Sequence, residues 1–186
     1  MKDYSGFSDL ELIDETRKGN NEAFSVLVSR YKEQVAKTVI GMLGDQIEAD
    51  DIGQETFIRF YRSIENFRGE SGLGTYLTKI AMNLSINELK KRNRSFSLFT
   101  NRDEEGREMN IVEPEDLAET NDTKEAVRLA LDSLPSKYRS VVVLRMIEGY
   151  STKETAEILN LPLGTVLSRL ARAQKNLKVI LGKLIQ

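Results

Sequence analysis

Apolar residues recur every three to four positions along most of this chain, the period of helices buried on one face. Ser8 opens the first such segment. Glu11, three residues on, completes a capping box, and Leu10, Leu12 and Ile13 supply its apolar content before Gly19, Asn20 and Asn21 end it. Residues 22–43 predict a longer helix, with Ala23, Phe24, Leu27, Val28, Tyr31, Val35, Val39 and Met42 on one face and Gly44 at the C-terminal cap. A third helix is predicted over 47–63, with Asp45 as cap and Ile47, Ile52, Phe57, Ile58, Phe60 and Tyr61 as its apolar residues. A fourth runs over 75–93, with Tyr76, Leu77, Ile80, Ala81, Leu84, Ile86 and Leu89 inside and a basic run, Lys90 to Arg94, at its end. Further on, Asp122 with Glu125 opens a helix to Ser133, the sequence Leu134-Pro135-Ser136 breaks it, and Lys137 to Ile147 forms the next. The β-branched run Val141 to Val143 lies between helical signals, so no strand is predicted and the class is all-α.

Two stretches interrupt the helical pattern. Residues 67–74 hold three glycines, Gly69, Gly72 and Gly74, with no following Gly-Lys-Ser/Thr, so they form no phosphate-binding loop. Residues 95–122 turn polar and acidic and read as a flexible linker. The expected organisation is therefore two small helical domains, 1–94 and 123–186, joined by a flexible acidic linker, 95–122.

The stretch Ser151 to Asn176 is the most informative. Ser151 caps a helix with Glu154 at the box position, and Ala156, Ile158 and Leu159 give it an apolar face. Asn160-Leu161-Pro162 breaks it; Pro162 cannot continue the first helix but suits the start of a second. That second helix carries Leu163, Val166, Leu167, Leu170 and Ala173 at helical spacing, with Thr165, Ser168, Arg169, Arg172 and Lys175 among or opposite them. A short helix, a brief break and a basic second helix make a helix-turn-helix, whose second helix suits the DNA major groove. The alternative is an ordinary helical hairpin with a solvated basic face.

Composition narrows the function classes. The 186 residues include no cysteine and no histidine, which removes disulfides, thiolate catalysis, Cys/His zinc sites and any histidine general base. No apolar run approaches the roughly 20 residues of a membrane span, and the first residues lack a signal peptide's apolar core, so an intracellular location is expected. The net charge of −2 is misleading until it is divided by position. Residues 1–94 hold 14 Lys and Arg against 15 Asp and Glu, residues 95–122 hold 2 against 9, and residues 123–186 hold 11 against 5. A +6 C-terminal third behind a −7 segment places the electrostatic footprint for DNA at one end.

Two separated blocks resemble a known family, the extracytoplasmic-function type of bacterial RNA polymerase sigma factor. The first is E-A-D-D-I-G-Q-E-T-F-I-R-F-Y-R-S-I-E-N-F-R-G-E-S, residues 48–71, followed by G-T-Y-L-T-K-I-A-M-N-L. The second is L-P-S-K-Y-R-S-V-V-V-L-R, residues 134–145, followed by the helix-turn-helix with P-L-G-T-V-L-S-R-L-A-R-A. The resemblance implies a dissociable initiation subunit with core RNA polymerase (its β′ clamp helices and β flap), promoter DNA and an anti-sigma factor as partners, no cofactor and no catalytic or metal residues. It puts Asp51, Gln54, Glu55 and Ile58 at the polymerase, with the acidic residues suited to a basic helical partner. It puts Phe67 and Asn83 in a pocket for an unstacked −10 base, with Lys79, Lys90, Lys91 and Arg92 near phosphates. Phe67 also reads as a loop anchor in the core, and both roles are compatible. Tyr76 stands where the family more usually has Trp. At −35 the resemblance implies Thr165, Leu167, Ser168, Arg169, Arg172 and Lys175. Leu167 departs from the usual Lys or Arg; facing bases, it would meet a thymine methyl, and facing inward, it would be core.

A free-standing helix-turn-helix regulator is the competing reading; such a protein does not need the D-D-I-G-Q-E block. One expectation concerns the free protein. The acidic segment can approach either basic surface, drawing the two domains together and masking the DNA-facing surfaces.

Overall fold

The computed structural model describes residues 4, 6–44, 47–100 and 123–184, with the side chains of 95–100 left aside. Eight α-helices occupy the described residues, with no strand among them. They are α1 (Asp9–Arg17), α2 (Asn21–Leu43), α3 (Ile47–Ser63), α4 (Leu73–Thr100), α5 (Thr123–Asp132), α6 (Ser136–Val142), α7 (Thr152–Leu159) and α8 (Leu163–Leu184).

The predicted caps form. The Ser8 amide donates to the Glu11 carboxylate at 2.8 Å, and the Glu11 amide donates to the Ser8 hydroxyl. Asn20 accepts from the amides of Glu22 and Ala23, opening α2, and Gly44 ends it at φ 77°, a region costly for any residue with a Cβ. The expected Asp45 cap lies outside the described residues. Helix α3 has the predicted bounds. Its Phe60 is fully buried and is ringed by Phe24, Phe67 and Tyr76 at 6.0–6.3 Å between centroids. Aromatic side chains thus close the core of the first four helices.

Two expectations change. Helix α4 does not stop at Asn93 but continues to Thr100, so residues 95–100, read as linker, are helical. Nothing between 93 and 100 is Gly or Pro, and helix propagation needs no more than that absence of a breaker. The rest of the expected linker, 101–122, lies outside the described residues. The helix expected over 137–147 is two pieces, α6 followed by a π-helical turn, Val143–Ile147. That wider turn lets Val141, Val142, Val143 and Leu144 all be buried, in three different apolar clusters, which one face of a regular helix cannot do.

The two halves of the chain pack together. Val143, Leu144 and Ile158 share the apolar cluster of helices α1 to α4, and Val143 lies against Gly41, where any Cβ would sit 3.1 Å from its methyls. Polar contacts flank this seam. The Tyr150 hydroxyl is 2.9 Å from both Gln34 Nε2 and Thr78 Oγ1. Arg139, almost wholly buried, donates to the Met42 carbonyl at 2.7 Å and pairs with Asp132 at 3.1 Å. Burial pulls the Arg139 pKa down, Asp132 opposes that, and a guanidinium starts so high that it stays charged. The described contacts between halves are apolar packing and hydrogen bonds, with charged groups at two places: Arg139 on the Met42 carbonyl, and Glu148 beside Lys37 and Thr38.

Candidate nucleic-acid interface

Helix α3 separates its residues cleanly. Ala49, Thr56 and Phe60 point into the core. Asp51, Gln54 and Ile58 are exposed and Glu55 is partly so; their spacing of i, i+3, i+4, i+7 makes one outward stripe. Ile58 is 44% exposed, and Glu55 pairs with Arg59 at 2.8 Å. The stripe therefore combines two carboxylates and an amide with a solvated isoleucine, the mixed composition of a protein contact.

The loop after α3 is held from behind. Phe67 is only 7% exposed, with its ring 5.0 Å from that of Tyr76 and edge-on to Phe60. Of the two roles for Phe67, the loop anchor is the one the packing shows. Arg17 of α1 donates to the carbonyls of Ile64 and Phe67, at 2.9 and 2.6 Å. Residues 68–72 then stand exposed, with Gly69 at φ 71°. The anchor is fixed by packing while the loop beyond it is left free to be touched.

On α4, Lys79, Asn83 and Lys90 are exposed and fall on one face, at i, i+4 and i+11. Asn87 and Arg94 are exposed and extend the same face. Arg94 belongs to the basic run read from sequence; Asn87 does not, although counting helical spacing from Lys79 finds it. Lys91 is exposed beside Glu88, at 3.8 Å. Arg92 turns the other way: its guanidinium lies 3.7 Å from Glu88 and from Glu48 of α3. The fold separates Arg92 from the Lys79–Asn83–Lys90 face and gives it a partner on the neighbouring helix.

The helix-turn-helix is formed as its sequence predicts. The Ser151–Glu154 capping box is present, and Asn160 adopts the left-handed conformation at φ 51°, ψ 53°, which Asn tolerates better than most residues. Helix α8 runs unbroken for 22 residues and buries Val166, Ala173, Ile180 and Leu184. Ser168, Arg172 and Lys175 are exposed, while Thr165 and Arg169 are half-buried; the Ser168 hydroxyl donates to the Thr165 carbonyl at 3.1 Å. Leu167 is 54% exposed, so it is not core. Leu163, counted among the apolar positions of the helix, is also outside, at 52%. It is the first residue of α8, before the helix has turned toward its neighbours.

Three outward surfaces on separate helices, one mixed and two cationic, fit a protein that holds a partner and DNA together. Comparison with known proteins decides the family. The model for Sigma-70 region 2 matches residues 27–95, and that for Sigma-70, region 4 matches residues 124–177. The chain is 35% identical over 173 residues to the ECF RNA polymerase sigma factor SigW of Bacillus subtilis, covering 89% of this chain and 92% of that one. The chain belongs to the extracytoplasmic-function sigma factors.

The RNA polymerase sigma-H factor of Pseudomonas aeruginosa is 32% identical, covering 96% of each chain. Among solved structures, CnrH in complex with the cytosolic domain of CnrY superposes with a TM-score of 0.66 at 25% identity, over 94% of this chain and 97% of that chain. The sigma factor RpoE of Bartonella quintana, solved with the anti-sigma factor NepR, gives the same TM-score at 20% identity, over 86% and 96% of the two chains, and supports the fold. As a sigma factor, this protein directs promoter-specific initiation of transcription. The region 2 match spans α4 and its exposed face, and the region 4 match spans the helix-turn-helix. No described helix is long and apolar enough to cross a membrane.

Proposed function

We propose that this sigma factor docks on the β′ clamp helices of core RNA polymerase through the α3 stripe Asp51, Gln54, Glu55 and Ile58. It reads the −35 duplex through Thr165, Leu167, Ser168, Arg169, Arg172 and Lys175, and opens and reads −10 through the 67–72 loop with Lys79 and Asn83. Residues 1–94 and 123–186 are the two working domains. The C-terminal one also rests on the β flap, and the protein acts in the cytoplasm. Lys90 and Lys91 serve as phosphate contacts; Arg92 contributes only if it exchanges its acidic neighbours for DNA. Phe67 acts through the loop it anchors, with its ring edge as one wall of the base pocket.

The observation that carries this reading is the exposed α3 stripe. A helix that served only the fold would not need to keep Gln54 and Ile58 in solvent beside two carboxylates, and a free-standing regulator has no use for such a surface. An anti-sigma factor completes the picture: the relative CnrH is solved with the cytosolic domain of CnrY, and a protein that must leave polymerase needs a holder elsewhere.

Run-off transcription with core polymerase, with and without this chain, tests the whole reading. Promoter-dependent transcripts are expected only with the chain present. Gln54→Ala with Glu55→Ala should weaken core association, with charge-assisted contacts of about 1–3 kcal/mol lost and the fold intact. Unchanged co-purification with core enzyme would remove the stripe from the interface.

A further inference from the structure

Helix α8 carries an apolar edge that the fold does not use. Leu163 and Leu167 are more than half exposed and belong to none of the three apolar clusters. They lie one turn apart, and exposed Ala171 continues the row by another turn. The inward row of this helix is Val166, Ala173, Ile180 and Leu184, so Leu167 is not a core residue that has slipped. Single exposed leucines are ordinary on protein surfaces. A row of three beside Ser168, Arg172 and Lys175, on the second helix of a helix-turn-helix, is a patterned surface. Leu163 borders the open groove at the turn, with Lys153, Glu157, Asn160 and Pro162. That leaves Leu167 and Ala171 as the part of the row set farther along the helix.

We propose that Leu167 reads the C5-methyl group of thymine in the −35 duplex. This rests on the assignment of α8 to −35. In the major groove the base edges offer donors, acceptors and one apolar group, the thymine methyl. Leucine can reward only the methyl. Against guanine it would cover the O6 and N7 acceptors without supplying a donor, a penalty and not merely a lost contact. The side chain therefore selects thymine and rejects guanine at one place. Arg172 and Lys175, exposed on the same helix, supply positive charge that would draw the row to the duplex. The predicted −35 element is thymine-bearing where a relative with Lys or Arg at this position would accept guanine.

The test uses core polymerase reconstituted with the full chain. Active promoters are first selected from a pool randomised across the −35 region. Each thymine of a selected duplex, on either strand, is then replaced by deoxyuridine, which removes the methyl alone, and holoenzyme affinity is measured by competition. Uracil at one position should weaken binding about fourfold, the worth of one buried methyl group. Holoenzyme carrying Leu167→Ser should bind the thymine and uracil duplexes alike, and Leu167→Arg should move the preference there from thymine toward guanine. If uracil costs nothing anywhere while other −35 changes still abolish binding, the proposal falls and the −35 assignment stands. If uracil costs as much with Leu167→Ser, another side chain reads the methyl and the proposal falls. If Leu167→Ser weakens core association and leaves the thymine-to-uracil ratio unchanged, the row is a protein contact and the proposal falls. If selection enriches no −35 sequence, the assignment of α8 falls first and takes the proposal with it.

Discussion

Phe67 and Leu167 are both apolar residues that the family resemblance assigns to DNA, and the fold treats them oppositely. Phe67 is in the aromatic core, with the Arg17 guanidinium fastening the backbone behind it. Leu167 is in solvent, on a helix whose inward row does not need it. The difference follows from how each half is built. The first four helices enclose a broad core around Phe60, and a loop crossing its mouth must bury something to be fixed in place. The C-terminal half hangs on small clusters along α8, so a stripe of that helix remains to face outward. Single-stranded DNA needs a rigid pocket that does not collapse when a base enters; duplex DNA needs a protruding helix. Each half has the packing that suits the form of DNA proposed for it.

The sharpest way to break this contrast is to remove the aromatic centre. Phe60→Ala should cost about 3–5 kcal/mol of stability, the usual range for an aromatic cavity in a closed core. It should release Phe67 and abolish −10 opening, as read by denaturant unfolding and by permanganate reactivity of −10 thymines in the holoenzyme. A stability loss below about 1 kcal/mol would mean that the core relaxes around the gap and that Phe67 is not held as described.

The other side of the contrast is tested at Arg172. Arg172→Ala should cost about 1–3 kcal/mol of −35 affinity and relax preference at one position if the guanidinium reads a base. If it touches phosphate alone, all −35 variants should weaken alike. A binding series over single-base variants separates the two, and no loss in any variant would take Arg172 out of the interface.

A smaller effect is expected where the halves meet. Promoter elements about 25 base pairs apart, at 3.4 Å per step, lie about 85 Å apart. A packed chain of this length has a radius of gyration near 16 Å, so the halves must part to reach both. Tyr150→Phe deletes a hydroxyl shared by Gln34 and Thr78 and should loosen the seam by about 0.5–1.5 kcal/mol. Duplex binding by the free variant should move toward that of the isolated fragment 123–186. Equal duplex affinity of the fragment and the unaltered full chain would show that the packing masks nothing. Masking by the acidic segment alone gives a gap that shrinks as salt rises; a seam mainly of apolar contacts and hydrogen bonds, charged only around Arg139 and Glu148, gives a gap that depends less on salt.

The smallest effect is a pH dependence at the same seam. Glu148 is half-buried against α2, where burial raises its carboxyl pKa while Lys37 and Thr38 oppose the rise. A raised folded-state pKa means the folded chain holds that proton more tightly than the unfolded one. The stability it contributes is present at low pH and is lost as pH climbs through the folded-state value. Glu148→Gln should therefore match or exceed the unaltered protein in Tm at neutral pH, with the gap closing on acidification. A gap that is the same at every pH would show that the carboxyl does not titrate at the seam.

Much of this was legible in the sequence because it is local. The capping boxes at Ser8 and Ser151, the bounds of α3 and the helix-turn-helix depend on residues three or four apart, and such neighbours meet whatever the rest of the chain does. The α3 stripe and the Lys79–Asn83 face were legible for the same reason, since helical spacing sorts residues into faces. What spacing cannot say is which face is covered and by what. The burial of Phe67, the turning of Arg92 toward Glu48, the exposure of Leu163 and Leu167 and the π turn after Val142 each depend on an element far away in sequence. The same holds for the seam. The charge count makes the acidic segment one agent that can draw the halves together, and most of that segment, 101–122, lies outside the described residues. The packing of Val143 against Gly41, with Tyr150 between Gln34 and Thr78, needs two surfaces matched in shape, and shape is decided only when the helices assemble.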